Sequence, residues 1–175
     1  MDQGSDSVAQ PDQTHARCLK GAYMEHQESM VYRELYETET EKALDLVWNV
    51  FLEFEAPDYS EQGTAEFYRS IHDKQYLETL RLYGAFFKDN LVGIIATRCG
   101  GNHIALFFVD GRYQGHGIGR KLFALAAADN FSGRMTVNAS PYAVSIYRHL
   151  GFTDTDSEQI TYGIRYTPME SHILR

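Results

Sequence analysis

In VDGRYQGHGIGRKLFALAA, residues 109–127, Gly115, Gly117 and Gly119 alternate with other residues, and Arg120 and Lys121 follow at once. Ile118, Leu122 and Leu125 then recur at helical spacing, so the stretch reads as a loop that turns into a helix. Backbone N–H groups without β-carbons, at the positive end of a helix, form an anion site. Arg112, Arg120 and Lys121 add positive charge there within an otherwise acidic chain. The plain alternative is a turn whose glycines supply only positive φ angles. Two nucleotide-binding loops fail on spacing. A phosphate loop needs Gly-x4-Gly-Lys-Ser/Thr, and no Lys-Ser or Lys-Thr pair follows these glycines; a dinucleotide fingerprint needs Gly-x-Gly-x-x-Gly, whereas here the run is Gly-x-Gly-x-Gly.

Working outward, RLYGAFFK, LVGIIATR and NHIALFFV are aromatic and β-branched runs separated by Asp89-Asn90 and Gly100-Gly101, which predicts an antiparallel meander before the loop. Further upstream, MVYRELYE predicts a first strand, with Val31 or its neighbours entering the core. Thr38 and Glu41 fit a capping box for a helix carrying Ala43, Leu44, Val47, Val50, Phe51 and Phe54, which Pro57 ends. A second helix is expected over residues 60–72. Downstream, RMTVNA predicts a short strand and SPYAVSIYRHLGF a helix. Its expected limits are a cap at Ser140, Pro141 in the first turn, and a left-handed terminus at Gly151 with Phe152 in contact. QITYGIRYTPM closes the chain with one or two strands. Residues 1–29 are rich in Gln, Ser, Asp and His and lack periodicity, which reads as a flexible polar tail.

The 175 residues suit one domain, here 30–175 after the tail. A net charge of -8 argues against a nucleic-acid partner. Cys18 and Cys99 form no CxxC pair and read as free thiols of a reducing compartment, and no segment has the length of a signal peptide core or a membrane span. A soluble, cytoplasmic protein is expected, monomeric or homodimeric, without membrane contact. The seven histidines show no HExxH or comparable spacing, so no metal is expected.

The run Val109 to Gly119, with the strand ALFFV before it and the helix IGRKLFALAA after it, resembles the acetyl-coenzyme A loop of the GCN5-related N-acetyltransferases, whose signature is Gln/Arg-x-x-Gly-x-Gly/Ala. MTVNA and the helix ending IYRHLGF stand in that family's order, so the resemblance extends from about residue 30 to the C-terminus. It implies an α/β (α+β) fold: a mixed central sheet of six to seven strands flanked by about four helices, in the order β-α-α-β-β-β-α-β-α-β(-β).

The resemblance also implies roles. The backbone of Phe107, Phe108 and Val109 would meet the pantetheine amides of acetyl-CoA, with an N–H near Val109 facing the reacting carbonyl. Gln114, Gly115, His116, Gly117, Ile118, Gly119 and Arg120 would present backbone amides to the pyrophosphate. Asn138 would contact the cofactor arm, and Ser140 is either a second contact or only the helix cap. Tyr147 takes the place of the family's general acid, although Ala143, Ile146, Tyr147 and Leu150 also form an apolar stripe in which it would be core. Glu53, Glu55 and Asp58 cluster where the family walls its acceptor site. Glu53 is the candidate base or amine attractor, against the reading that all three are solvated helix-end carboxylates.

The implied activity is direct acetyl transfer from acetyl-CoA to a primary amine of a small molecule or peptide. The alternatives are a non-catalytic acyl-CoA-binding regulatory module of the same fold, and acyl transfer to a different acceptor or from a longer donor. An amine of ordinary pKa ~10.4 needs a base near neutral pH, whereas a thiol of ~8.5 needs little help from a phenol of ~10. Tyr36, Tyr68, Tyr76 and Tyr83 are equally suited to an acceptor pocket or to the core.

Overall fold

The computed structural model describes residues 30–173; the polar tail, Cys18 and the last two residues lie outside them. Strand β1 (Met30–Glu34) leads through a short 3-10 turn into helix α1 (Thr40–Phe54). Met30 and Tyr32 pack on the core, while Val31 is exposed. The Thr38–Glu41 capping box is not what starts this helix. Instead, the Glu39 carboxylate accepts the Tyr36 N–H at 2.9 Å while the Arg33 guanidinium grips both its oxygens, which holds Glu39 down at about 2. An arginine on β1 thus fixes the entry at Tyr36, two residues earlier than Thr38.

Pro57 ends α1 as expected. Its lack of an N–H and its crowding of the preceding residue force a 3-10 turn at Ala56–Asp58, leaving Glu55 at the helix end. Helix α2 (Glu61–Ile71) starts on Ser60, whose hydroxyl accepts the Gly63 N–H at 3.1 Å. A one-turn helix, α3 (Lys74–Leu77), follows on an Asp73 cap; periodicity could not announce anything so short.

Strands β2 (Arg81–Phe87), β3 (Asn90–Arg98) and β4 (His103–Val109) form the meander, antiparallel throughout. Next come α4 (Ile118–Ala128), β5 (Arg134–Ala139), α5 (Val144–His149), β6 (Thr153–Asp154), β7 (Gln159–Thr161) and β8 (Ile164–His172). The sheet has eight strands, one more than the expected upper count, in the order β1-β2-β3-β4-β5-β8-β6, with β7 paired to β8. Only β4 and β5 run parallel. Regular helix α5 begins at Val144 rather than at Pro141. Ser140 nucleates a lead-in turn in which its carbonyl accepts the Ala143 and Val144 N–H groups. Its terminus is the expected one: Gly151 sits at φ 92° and the Phe152 N–H reaches the Tyr147 carbonyl.

Two cores cover the sheet. On one face α1 buries Ala43, Val47 and Phe51 against Ile94, Ala96 and Leu106. On the other α4 buries Leu122 and Ala126 against Ile95, Met135 and Val137. Each such large side chain contributes about 1.5–3 kcal/mol relative to exposure. Because both faces of β3 are covered, its sequence is continuously apolar instead of alternating.

Candidate functional site

β4 and β5 touch only at their starts. The pairs His103–Thr136 and Ile104–Val137 are in register, and from Ala105 onward the two strands diverge. On its other edge β4 stays bonded to β3, with the Asp110 N–H on the Val92 carbonyl at 2.9 Å. By the alternation of an antiparallel ladder, Phe107 and Val109 therefore turn their N–H and C=O groups toward the opening. The Val109 carbonyl is taken there by the Gln114 side chain at 2.9 Å, and the Gln114 amide oxygen accepts the Tyr142 hydroxyl at 3.2 Å. Gln114 thus ties the loop to the strand end with its side chain.

The glycines divide by function. Gly115 and Gly117 have φ of 77° and 78°, a region closed to most side chains, and a β-carbon on either would meet nothing within 4 Å. Open space beside a left-handed backbone at the start of α4 is what an approaching anion needs. Gly119 differs: its β-carbon would press on the Phe107 ring at 3.3 Å, so it serves helix-to-strand packing. Ile118 is buried as the first core residue of α4, and the exposed His116 turns its ring back onto the Gln114 carbonyl.

Of the three nearby cations, Arg112 is committed to Asp110 and Lys121 lies over the Tyr32 ring. Arg120, in the first turn of α4, has neither a carboxylate nor a ring partner among the described residues.

Two cavities open from the divergence. The loop-side cavity, about 400 Å3, is bounded by Phe54, Phe107, Val109, the glycine loop and Tyr142. The hairpin-side cavity, about 470 Å3, is bounded by Tyr59, Glu66, Arg98, Asn138 and Tyr166, with Tyr162 at the tip of the β7–β8 hairpin. That hairpin seats on α2 through two glycines: a β-carbon on Gly63 would lie 2.1 Å from the Gly163 carbonyl oxygen.

Glu55 and Tyr147 line both cavities and so stand in the wall between them. Desolvation, with Asp58 adding repulsion, pushes the Glu55 carboxyl up to about 7, against the influence of the nearby Ser140 hydroxyl, which favours the charged form. Burial raises the Tyr147 phenol too, with the Glu55 charge adding to it. Its ring packs on Phe107 and Phe152, so Tyr147 is both a core residue and a wall of the site.

The structure separates other residues that the sequence grouped. Glu53 is exposed and lies outside both cavities, its carboxylate beside Gly111 at the outer side of the loop. Glu55, two residues on, takes the inner position because Pro57 stops the helix there. Asn138 borders the hairpin-side cavity only, Phe108 packs beneath α1 while still lining both cavities, and the Ser140 hydroxyl caps its own turn by accepting the Ala143 N–H. Of the four tyrosines left open, Tyr76 lines the hairpin-side cavity and Tyr83 is core, whereas Tyr36 and Tyr68 are exposed. Arg98 had no sequence signal beyond ending a strand. Among the described residues, no group of three or more His, Cys, Asp and Glu side chains is gathered as a metal site. No helix among them is long and apolar enough to cross a membrane.

A family model described as an acetyltransferase (GNAT) domain matches residues 55–173. Among solved structures, a GCN5-related N-acetyltransferase from Rhodopseudomonas palustris is similar with a TM-score of 0.70 at 20% identity, over 82% of this chain and 96% of that one. The PaiA N-acetyltransferase from Thermoplasma acidophilum, solved in complex with coenzyme A, gives 0.68 at 18% identity, over 82% and 99%. Apo-form YjaB from Escherichia coli gives 0.64 at 21% identity, over 83% and 98%. At these identities the likeness is one of fold. No curated protein sequence matches significantly.

Proposed function

The chain belongs to the GNAT acetyltransferase family, and from that premise we propose that it transfers the acetyl group of acetyl-coenzyme A directly to a primary amine. The observation that carries this reading is the position of Glu55 and Tyr147 in the wall shared by the two cavities. A donor held on the loop side and an acceptor on the hairpin side would meet there.

The residues present fit the donor. Gly115 and Gly117 leave open backbone at a helix start, Arg120 adds an uncommitted cation, and the diverging edge of β4 offers the Phe107 and Val109 amides. Bound acetyl-coenzyme A would supply an activated acyl thioester. Glu55 is the base: at about 7 its carboxylate is available at neutral pH, yet basic enough to draw a proton from an ammonium or a bridging water. The nearby Ser140 hydroxyl favours its charged form.

Tyr147 serves as a hydrogen-bond donor more than as a full acid. Its pKa is raised, so handing a proton to a thiolate is uphill by more than the about 2 kcal/mol of unperturbed groups. Once Glu55 has taken its proton, the charge that opposes ionisation of Tyr147 is gone, which eases the donation. The Val109 N–H on the open edge is the group suited to a developing oxyanion.

The test is thiol release from acetyl-coenzyme A over a panel of polyamines, aminoglycosides, amino acids and lysine peptides. Release with at least one amine is expected. Tyr147→Phe should lower kcat roughly ten- to a hundredfold, the worth of one charge-assisted hydrogen bond, with coenzyme A affinity unchanged. Tight coenzyme A binding without release from any acceptor would instead identify a regulatory binding module.

A further inference from the structure

We infer that the amine acceptor also carries a carboxylate, and that Arg98 receives it in the hairpin-side cavity. The inference rests on the acyl-transfer reading for what happens to the amine, but its own support is the state of this arginine. Every arginine among the described residues holds a carboxylate except two, Arg98 and Arg120. Arg120 stands at the glycine loop. Arg98 ends β3 in the wall of the other cavity, and its Nε is shut off from solvent with no hydrogen-bond partner. In a chain with net charge -8, carboxylates are plentiful, and a half-buried guanidinium left without one is a group whose partner arrives from outside.

The surroundings hold Arg98 in readiness and do not neutralise it. Its guanidinium carbon lies 5.9 Å from the centre of the Tyr76 ring, which steadies the plane of the fork. His103, across from it on β4, pairs its Nδ1 with the Thr136 hydroxyl at 2.9 Å and is held down at about 4 by burial and by Arg98 itself. Besides Glu55, two acids line the cavity and both are occupied. Glu66 is gripped by Arg69 at 2.9 Å, and Asp73 caps α3 by accepting the Gln75 and Tyr76 N–H groups.

Those acids also select the anion. A single planar carboxylate matches the guanidinium fork in charge and shape, whereas the second charge of a phosphate would face Glu55, Glu66 and Asp73 without a further cation. With Glu55 drawing an ammonium on one side and Arg98 a carboxylate on another, the cavity is polarised for an amino-acid-like molecule.

The experiment compares glycine, methionine, phenylalanine, aspartate and histidine, each with its own carboxamide, and O-phosphoethanolamine. It measures kcat/KM for thiol release and, independently of turnover, affinity for the coenzyme A-loaded full chain by calorimetry. At least one acid should be preferred over its amide by roughly ten- to a hundredfold, the effect lying in KM and Kd. Arg98→Gln should erase that preference by weakening the acid, and Arg98→Lys should restore part of it. Equal constants for acids and amides, no binding of any acid, a preference that survives Arg98→Gln, or a preference for phosphoethanolamine overturns the inference. Arg98-dependent binding of an acid without turnover would sink the acyl-transfer reading and leave this one standing; turnover without an acid preference would do the reverse.

Discussion

On the loop side of the site, recognition is built from backbone: glycines at positive φ, a helix start, and the open edge of a strand that parts from its neighbour after two residue pairs. On the hairpin side it is built from side chains, with Glu55 and Tyr59 from one turn, Arg98 from β3 and Tyr162 from the hairpin tip. Backbone recognition is local and tolerates change in the surrounding side chains. Side-chain recognition depends on how remote elements dock, as the close seat of Gly163 on Gly63 illustrates. Substitutions should therefore separate the two cavities cleanly, and the wall between them should belong to both.

The largest effect is expected at that wall. Glu55→Gln should lower kcat by roughly 10²–10⁴-fold, the range for loss of a positioned base. In the unsubstituted protein kcat/KM should rise with pH up to about 7 and then level, and the variant should lack that limb. Stability should move the opposite way. Folded Glu55 keeps its proton between about 4.5 and about 7, where the unfolded chain has released it, so native stability declines as pH rises through that window. Above it, Glu55→Gln should gain about 2 kcal/mol in denaturant melts at pH 8. A variant that melts no later than the wild type would mean that the carboxylate is solvated.

Next in size is Gly117→Val. The site is exposed and open, so the fold should survive with a cost of about 1–2 kcal/mol for a left-handed valine. Coenzyme A affinity should fall roughly a hundredfold, because the branched side chain occupies the space an anion needs. Calorimetry showing undiminished affinity would break the backbone side of the comparison.

The smallest effect is expected at Gly63→Ala. Its β-carbon cannot coexist with the Gly163 carbonyl at 2.1 Å, so the hairpin must lift from α2. Acceptor KM should rise about three- to tenfold, while coenzyme A affinity stays constant. A parallel loss of coenzyme A affinity would show that the cavities are not separable.

Much of this was legible in the chain because it is local. The glycine loop, the meander and the terminus of α5 at Gly151 each rest on residues within one turn or hairpin of one another. Even the Glu55 position had a local signal, since Pro57 two residues later dictates where α1 must stop. By residue type alone, Glu53, Glu55 and Asp58 form one carboxylate cluster at a helix end. Burial distinguishes them, and burial is set by Tyr147 and Ser140, which lie more than eighty residues downstream.

The sequence by itself determined the loop, the helix it opens and the family these belong to, because left-handed glycines and apolar periodicity are short-range constraints. Tertiary structure alone decided the chemistry of the wall and of the second cavity. Desolvation of Glu55 and the unanswered guanidinium of Arg98 depend on which groups fail or manage to find a partner after the chain has packed. Charge in a folded protein is a property of neighbours, and neighbours across a sheet are not encoded at any fixed spacing.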